Sequence, residues 1–339
     1  MANSTANIGF NQTTQYQAYY DKKLLQRLLP NLVYTEFGEK HPLPKNNTKY
    51  IQVRRFESLA AQTTPLTEGV NPSAVDMDDT LIQASIQEFG AWSQVSSLLE
   101  LTDYDPVITQ FSEVFGENAA NSLDQYTRDI LLAGTYFIRI QATGTLSTSG
   151  NRNTVAYSMT KGALDAAILQ LESYNVKKFD SIIAGSSGIG TSPVPESYIC
   201  IVHPHVKKDI LALGSSNGII PAFKYSNVNK LYPGEFAAYE GGIRFLATTN
   251  GKIWTGAGAT GTTTYRNNGT SYDVYGCIVL GKGFYATTDL DGGARIIVKP
   301  KSIIGGALER YSTVGWQANY QAFIINDYCG VRIECAATL

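Results

Sequence analysis

Two segments that alternate apolar and polar residues are separated by a long stretch with no periodic pattern. The alternating segments are residues 49–57 and 81–87, and each is typical of a β-strand. Residues 58–80 between them are rich in Thr, Pro, Gly and Asn, and an unstructured connection of this length is unusual inside a compact domain. The pattern predicts an extended β-hairpin with a long tip. An isolated two-stranded hairpin is marginally stable in water, so we expect a neighbouring subunit to cover it.

The clearest helix is predicted over residues 105–134. Asp105 can cap this helix, Pro106 fits its first turn and Gly134 ends it. At 1.5 Å per residue it would be about 42 Å long, and a single apolar side of that length needs a broad platform to lie on. The apolar residues that recur at spacings of three and four are Val107, Phe111, Val114, Phe115, Ala119, Leu123, Tyr126 and Ile130.

Residues 1–48 have the pattern of an arm rather than of a compact core. A short amphipathic helix is predicted over residues 21–29 and is stopped by Pro30, after a polar lead. Pro42 and Pro44 then break regular structure. The apolar arm residues at roughly helical spacing include Tyr16, Tyr19, Leu24 and Leu28.

The region from about 150 to 300 predicts a mixed α/β subdomain. Its first helix begins after Thr160, and a second runs from Pro204 to Leu213. Residues 248–273 are rich in Gly, Thr and Asn and predict a mobile or partner-ordered loop. The first helix has an apolar stripe of Leu164, Ala167, Ile168, Leu171 and Tyr174, and short apolar strands are predicted over Tyr198–Val202, Ile243–Ala247, Tyr275–Leu280 and Arg295–Val298.

The C-terminal end returns to strands. A turn is predicted at Asn326 and Asp327, between two alternating segments. Before the turn, Trp316, Ala318, Tyr320, Ala322 and Ile324 share one face and Phe323 and Ile325 the other; after it, Val331, Ile333 and Cys335 alternate.

The composition indicates a chain with a real core and a surface that is short of charge. Of 339 residues 43% are hydrophobic, which is enough for two subdomains, and only 17% are charged. The 21 tyrosines suit burial against neighbours, although a β-rich domain with a neutral surface fits this composition equally well. The net charge of −2 and the absence of a basic run argue against binding nucleic acid through its phosphates, but not against a container for DNA.

The sequence shows no signal peptide pattern and no apolar stretch long enough for a membrane helix. The four cysteines form no CxxC pair, and we interpret them as reduced core residues of a protein made in a cytoplasm. His203 and His205 flank Pro204, but no acidic or cysteine cluster accompanies them, so we expect no metal. We likewise expect no cofactor.

Two short patterns imitate a short-chain dehydrogenase. Tyr157 and Lys161 have the Tyr-x-x-x-Lys spacing, and residues 185–190 resemble a glycine-rich phosphate loop. A dinucleotide loop must follow a strand and open a helix, whereas these glycines run into Pro193. The order of the two motifs is also reversed, so we predict a non-catalytic chain in which Thr160 caps a helix.

The order of parts resembles the Hong Kong 97-type fold of tailed-phage capsid proteins, an α+β fold. The wording of residues 64–72 (Thr-Pro-Leu-Thr-Glu-Gly-Val-Asn-Pro) is similar to the extended-loop signature of the phage N-four-like major capsid family. Further segments that resemble this family are 20–25, 87–92, 119–124, 131–135, 199–206 and 315–317.

This resemblance implies a division of the chain into five parts. They are an N-terminal arm (1–48), an extended loop (49–100), a peripheral domain with the spine helix (101–150), an axial domain (151–300) and C-terminal strands that return to the peripheral domain (301–339). Contacts between subunits would be made through the extended loop by Pro65, Leu66, Glu68, Gly69 and Pro72, and through the arm by Tyr16, Tyr19, Leu24 and Leu28. The core face of the spine helix would be formed by Phe111, Phe115, Leu123, Tyr126 and Ile130.

The implied function is a major capsid protein that assembles into the icosahedral shell around a double-stranded DNA genome. Its partners would be copies of itself in pentamers and hexamers, the portal protein, a separate scaffolding protein and decoration proteins. It would enclose DNA without specific binding, reside in the virion and assemble in the host bacterial cytoplasm without a membrane. The alternatives are an encapsulin-type cellular shell, a β-rich tail or adhesin component and, least favoured, the oxidoreductase.

Overall fold

The computed structural model describes residues 32–42, 49–57, 59–102, 107–185, 191–227, 231–288, 294–304 and 308–339. Among them, a nine-stranded sheet forms the body, with the order β6-β5-β17-β12-β7-β10-β9-β8 and β11 beside β12. Its strands are β5 (Phe137–Ile140), β6 (Leu146–Ser147), β7 (Tyr198–Val202), β8 (Ile219–Pro221), β9 (Glu235–Tyr239), β10 (Ile243–Ala247), β11 (Lys252–Trp254), β12 (Val274–Leu280) and β17 (Gly330–Cys335).

The centre of this sheet is buried on both faces, which explains why its strands are nearly continuous apolar runs. Strands β7 and β10 have the predicted bounds, and β12 begins one residue earlier than predicted. Helix α3 (Lys161–Ser173) covers one part of the sheet, and the Thr160 side chain accepts a hydrogen bond from the Ala163 amide, as the cap prediction requires. Helix α4 (Pro204–Leu213) also has the predicted bounds.

Tyr174 was wrongly included in the apolar stripe of α3. It follows the last helical turn as the C-cap residue and is 46% exposed, because the stripe ends where the helix ends. Ala163 is buried in its stead, together with the other four predicted stripe residues, Leu164, Ala167, Ile168 and Leu171.

The long helix α2 (Val107–Leu131) lies on a separate three-stranded sheet with the order β14-β15-β4. Both Asp105 and Pro106 lie outside the described residues, and the helix ends three residues before Gly134. The prediction for Val114 is wrong, since it is 58% exposed on the side turned away from the sheet. The strands are β4 (Gln87–Ser96), β14 (Ala294–Lys299) and β15 (Tyr311–Tyr320), and two short helices, α1 (Ser97–Thr102) and α5 (Lys301–Ile304), lie at their ends.

The predicted hairpin is present as strands β2 (Tyr50–Phe56) and β3 (Asp79–Ser85), which pair antiparallel along seven residues. The returning strand is interrupted at Ile86, so residues 81–87 are not one strand. The expectation that only a neighbour covers the hairpin is wrong for its base, where Ile51 and Ala84 are buried with Ala286 and Phe323 of the same chain.

A third small sheet joins β1 (Glu39–His41), β13 (Tyr285–Thr288) and β16 (Ala322–Ile324), and it supports this base. The strand pairing also differs from the predicted division of the chain. Strand β14 falls within the predicted axial domain, but it pairs with β15 in the three-stranded sheet. Strand β17 was expected to return to the peripheral domain, but it lies between β5 and β12 in the large sheet. The C-terminal residues therefore contribute strands to both the three-stranded sheet under the long helix and the nine-stranded sheet.

Residues 248–273 are not a loop that waits for a partner. Strand β11 pairs with β12, the Ala259 amide donates to the carbonyl of Val155 at 2.8 Å, and the Arg266 amide donates to Ala337 at 2.9 Å. Tyr265 is buried by the same contacts. The chain itself orders this segment, which the Gly and Thr content did not indicate.

Candidate assembly surfaces

The tip of the hairpin is the most exposed part of the described chain. Every described residue from 59 to 81 is exposed, and Leu66 and Met77 keep 75% and 64% of their surface in contact with water. A turn forms where the Val70 amide donates to Thr67 at 3.2 Å, and Gly69 has a φ of 78° that favours glycine. The predicted contact residues Pro65, Leu66, Glu68, Gly69 and Pro72 all lie on this exposed segment.

The tip is also acidic. From residue 57 to residue 79 the sequence contains five carboxylates and no lysine or arginine. Two of the five pair with arginines at the end of the ladder next to the tip, Glu57 with Arg55 at 3.1 Å and Asp79 with Arg54 at 2.6 Å. The remaining three, Glu68, Asp76 and Asp78, are exposed. Exposed apolar and exposed acidic side chains therefore occur together at one end of the molecule.

A trough of about 370 Å³ lies on the face of the β14-β15-β4 sheet that is turned away from the long helix. The side chain of Trp92 stands at one side of the trough and is 70% exposed. A Cβ atom at Gly315 would lie 2.7 Å from the Cβ of Trp92, and one at Gly90 would lie 2.7 Å from the carbonyl oxygen of Trp316. The two glycines thus keep the floor of the trough low, and Ile297 completes its apolar wall.

Charged side chains stand around this trough. Arg295 and Lys299 project from alternate positions of β14 on the same face as Ile297 and are exposed. The Arg295 guanidinium donates to the amide oxygen of Gln317 at 2.6 Å. Of the residues that line the trough, Lys299 and Glu88 are charged. Arg295, bound to the lining residue Gln317, adds a second positive charge beside them.

The predicted core face of the long helix packs on the opposite face of this sheet. Leu123 is fully buried against Trp316 and Ala318, and the other four predicted residues are half-buried around that cluster. Those four are Phe111, Phe115, Tyr126 and Ile130. The helix is therefore covered by its own chain, and the three-stranded sheet is the platform on which it lies.

The four predicted arm contacts, Tyr16, Tyr19, Leu24 and Leu28, lie outside the described residues. The first described residues after them are held by Asp124 of the long helix, whose carboxylate accepts from the amides of Val33 at 3.0 Å and Tyr34 at 2.7 Å. The side chain of Asn250 donates to the same carboxylate at 2.9 Å. Burial raises the pKa of Asp124, and these three donors oppose that rise.

Sequence reasoning missed Asp124 as an anchor. The sequence contains one indication of this role. Asp124 directly follows Leu123 and precedes Thr127 by three residues, and both neighbours are buried, so its carboxylate lies on the buried side of the helix. A buried carboxylate requires hydrogen-bond donors, but the sequence gives no means of finding donors 90 residues away.

A second feature that the sequence did not indicate is the buried Glu334, which is surrounded by three arginines. Its carboxylate contacts Arg139 at 2.7 Å, Arg152 at 2.8 Å and Arg332 at 2.8 Å. Burial alone would raise the pKa of Glu334, but the hydrogen bonds from Arg152 and Arg139 and the charge of Arg332 lower it. The cluster joins β5, β17 and the segment before α3 in the body.

Tyr157 and Lys161 do not have the arrangement of the catalytic motif that their spacing imitates. Tyr157 precedes helix α3, so it does not stand one helical turn from Lys161, and its ring lies 6.1 Å from that of Tyr265. Residues 186–190 lie outside the described part of the chain. His203 accepts from the His205 amide at 3.1 Å as the cap of α4, and burial lowers the pKa of His203 to about 4.

The four cysteines are buried as free thiols, as predicted. Within the described ranges no group of three or more His, Cys, Asp and Glu side chains could hold a metal ion. No described helix is both long and apolar enough to cross a membrane.

No protein-family model matches the chain, and no curated protein matches it significantly in sequence. Solved structures do match. The capsid of the cyanophage P-SCSP1u matches with a TM-score of 0.60 at 13% identity, over 91% of this chain and 89% of that chain. The capsid of Ralstonia phage GP4 has a TM-score of 0.61 at 11% identity, over 90% and 86% of the two chains. The capsid of cyanophage Pam1 has a TM-score of 0.54 at 13% identity, over 100% and 99%.

At these identities the matches show the fold. The chain is an α+β protein with the architecture of a capsid subunit along nearly its whole length. This architecture is the Hong Kong 97-type fold of tailed-phage capsid proteins, as the order of parts predicted. The narrower resemblance to the N-four-like family stays a prediction.

Proposed function

We propose that this chain is the major capsid protein of a tailed phage and assembles into the icosahedral head shell that encloses double-stranded DNA. The observation that supports this most is the match of the fold to phage capsid subunits over about 90% of both chains. The subunit is structural and non-catalytic, and its place is the virion after assembly in the host bacterial cytoplasm.

The hairpin tip supplies the first contact between subunits in this proposal. Pro65, Leu66, Glu68, Gly69 and Pro72 lie on a segment that its own chain leaves exposed. Exposure of large apolar side chains such as Leu66 and Val70 to water is unfavourable, so their burial against a neighbour would stabilise an assembly. A closed shell repeats each contact many times, so weak individual contacts suffice.

The N-terminal arm supplies the second contact, through Tyr16, Tyr19, Leu24 and Leu28. The support comes from its attachment point, because Asp124 fixes Val33 and Tyr34 to the body and so sets where the arm departs. The proposed partners are further copies in pentamers and hexamers, the portal protein, a separate scaffolding protein and decoration proteins.

Negative-stain electron microscopy of the protein expressed alone and with its neighbouring structural genes tests the proposal. We expect closed, regular shells with five-fold and six-fold capsomers. Fibres, tubes or only monomers under both conditions would contradict it.

The cargo separates a phage head from an encapsulin-type shell. Particles purified from infected cells should contain double-stranded DNA that resists nuclease until the shell is opened. Protein cargo in place of DNA would contradict the head assignment while leaving the shell fold intact.

A further inference from the structure

We propose that the acidic tip, residues 59–78, of one copy seats in the trough beside Trp92 on a second copy, with its carboxylates facing Arg295 and Lys299. This inference rests on the proposed function, and it names the surface that receives the tip. Its support is the complementarity of shape, apolarity and charge between two surfaces that both lack cover in the single chain.

The tip does not lie in the trough of its own chain. Strand β4 carries Gly90 and Trp92, while β3, the strand before it, leads from Ser85 out to Asp79 in a paired ladder of seven residues. At about 3.3 Å per residue that ladder is roughly 23 Å long, and the tip follows at its far end. Accordingly, both surfaces are exposed in the same chain, with Leu66 at 75% and Trp92 at 70%.

The trough has the shape and chemistry to receive side chains from an extended segment. Gly90 and Gly315 leave a floor of bare backbone, and Trp92 and Ile297 form apolar walls. A cavity of about 370 Å³ accommodates two or three aliphatic side chains, and the tip offers Leu66, Val70, Val75 and Met77, each more than half exposed. Burial of these groups against Trp92 removes apolar surface from water on both copies.

Charge selects the tip over other exposed apolar segments and sets its orientation. The tip carries Glu68, Asp76 and Asp78 without a cation between residues 57 and 79, and the trough rim carries Arg295 and Lys299 on one side. Glu88 stands on the opposite side of the trough, on β4, so an acidic segment is attracted to the β14 side and repelled from the β4 side.

The contact is directional, because the surface that donates differs from the surface that accepts. Contacts of this heterologous kind close into rings when the rotation between copies closes, and otherwise extend into open filaments. A copy whose tip is bound still offers its own trough, so each added copy creates the site for the next.

Charge reversal with rescue tests the pairing in the full chain. In the variant R295E/K299E, assembly measured by sedimentation and electron microscopy should fall about tenfold or more at moderate salt, because each shell repeats the repulsion at every contact. The control K161E/K282E changes the net charge equally at exposed sites on the body and should assemble like the parent. Circular dichroism and the unfolding midpoint should be unchanged in both variants.

Reversal of the tip should restore what reversal of the trough removes. E68K/D76K/D78K alone should assemble poorly, and its combination with R295E/K299E should regain most of the yield. Normal assembly of R295E/K299E, or failure of the combination to improve on either parent, would overturn the pairing. Failure of the proposed function is distinct, since then the unaltered protein itself would form no shells.

Discussion

The nine-stranded body and the hairpin tip show opposite ways of treating their side chains. In the body, β12 buries all seven of its residues, and the buried charge of Glu334 is matched by three arginines. In the tip, every described residue is exposed, and three carboxylates stand among large apolar side chains. The body buries its apolar side chains and pairs its charges within one chain, whereas the tip leaves apolar and acidic side chains exposed for a second chain to cover.

This difference separates folding from assembly. Removal of side chains from the body opens cavities or leaves buried charges without a partner. Each such change lowers the free energy of unfolding of the single chain. Changes in the tip remove nothing that the chain itself buries. Variants in the two regions should therefore fail in different assays.

The largest effect is expected from replacing residues 58–78 with a short Asn-Gly turn between β2 and β3. The ladder from Tyr50 to Phe56 keeps its partners, and the base stays packed on Phe323, so the chain should fold. Assembly should be lost. Gel filtration, electron microscopy and thermal unfolding check this, and normal shells from the deletion would contradict the role of the tip.

Glu334→Gln should cause the largest loss of stability among single substitutions. It leaves Arg139, Arg152 and Arg332 together without their shared carboxylate, and loss of one partner of a buried ion pair costs about 3–5 kcal/mol. Urea denaturation of the unassembled protein measures it. The matched control is Glu57→Gln, whose exposed pair with Arg55 should contribute about 0–1 kcal/mol, and equal losses in the two variants would contradict the account.

Leu123→Ala should lower the free energy of unfolding by about 2–5 kcal/mol, since it opens a cavity between the long helix and Trp316. Val114→Ala is the control on the exposed side of the same helix and should change it by about 0.5 kcal/mol or less. The same urea titration compares both. A loss at Val114 as large as that at Leu123 would show that the helix faces were assigned wrongly.

Asp124→Asn should have the smallest effect, and its sign should depend on pH. Because burial raises the pKa of Asp124 in the folded chain, that chain binds a proton more readily than the unfolded chain does. The stability that this group contributes is therefore lost as pH rises through its folded pKa. Asn keeps an acceptor for Val33 and Tyr34 but does not titrate.

The measurement is the difference in unfolding free energy between the parent and Asp124→Asn at several pH values. The free energy of unfolding of the parent should rise relative to that of the variant as pH falls from 7 through the raised pKa of Asp124. Asp76→Asn on the exposed tip is the control for the substitution itself and should change the free energy of unfolding at pH 7 by about 0.5 kcal/mol or less. If the free energy of unfolding of the parent falls relative to that of Asp124→Asn on acidification, burial does not raise the pKa of Asp124.

The sequence predicts well where the signal is local. Strands β7 and β10 and helix α4 have the predicted bounds, because apolar runs, a proline at the first helical turn and a cap are written in adjacent residues. The hairpin and the long helix were likewise predicted from their own periodicity.

The errors arise where distant residues decide. The pairing of β14 with β15 and the insertion of β17 beside β12 depend on partners far along the chain. The order of residues 248–273 depends on bonds to Val155 and Ala337, which no local pattern predicts. The trough was missed for the same reason, since Gly90 and Gly315 become neighbours only when β4 and β15 pair.

Hydrogen–deuterium exchange of the assembled and the unassembled protein tests the central claim most directly. Amides of residues 59–78 donate few hydrogen bonds within the single chain, so they should exchange rapidly in the monomer. Upon assembly, exchange should slow in this segment and around Trp92 and Gly315, while β7 and β12 stay protected in both states. Equal, rapid exchange of residues 59–78 in monomers and shells would contradict the claim that a neighbour covers the tip.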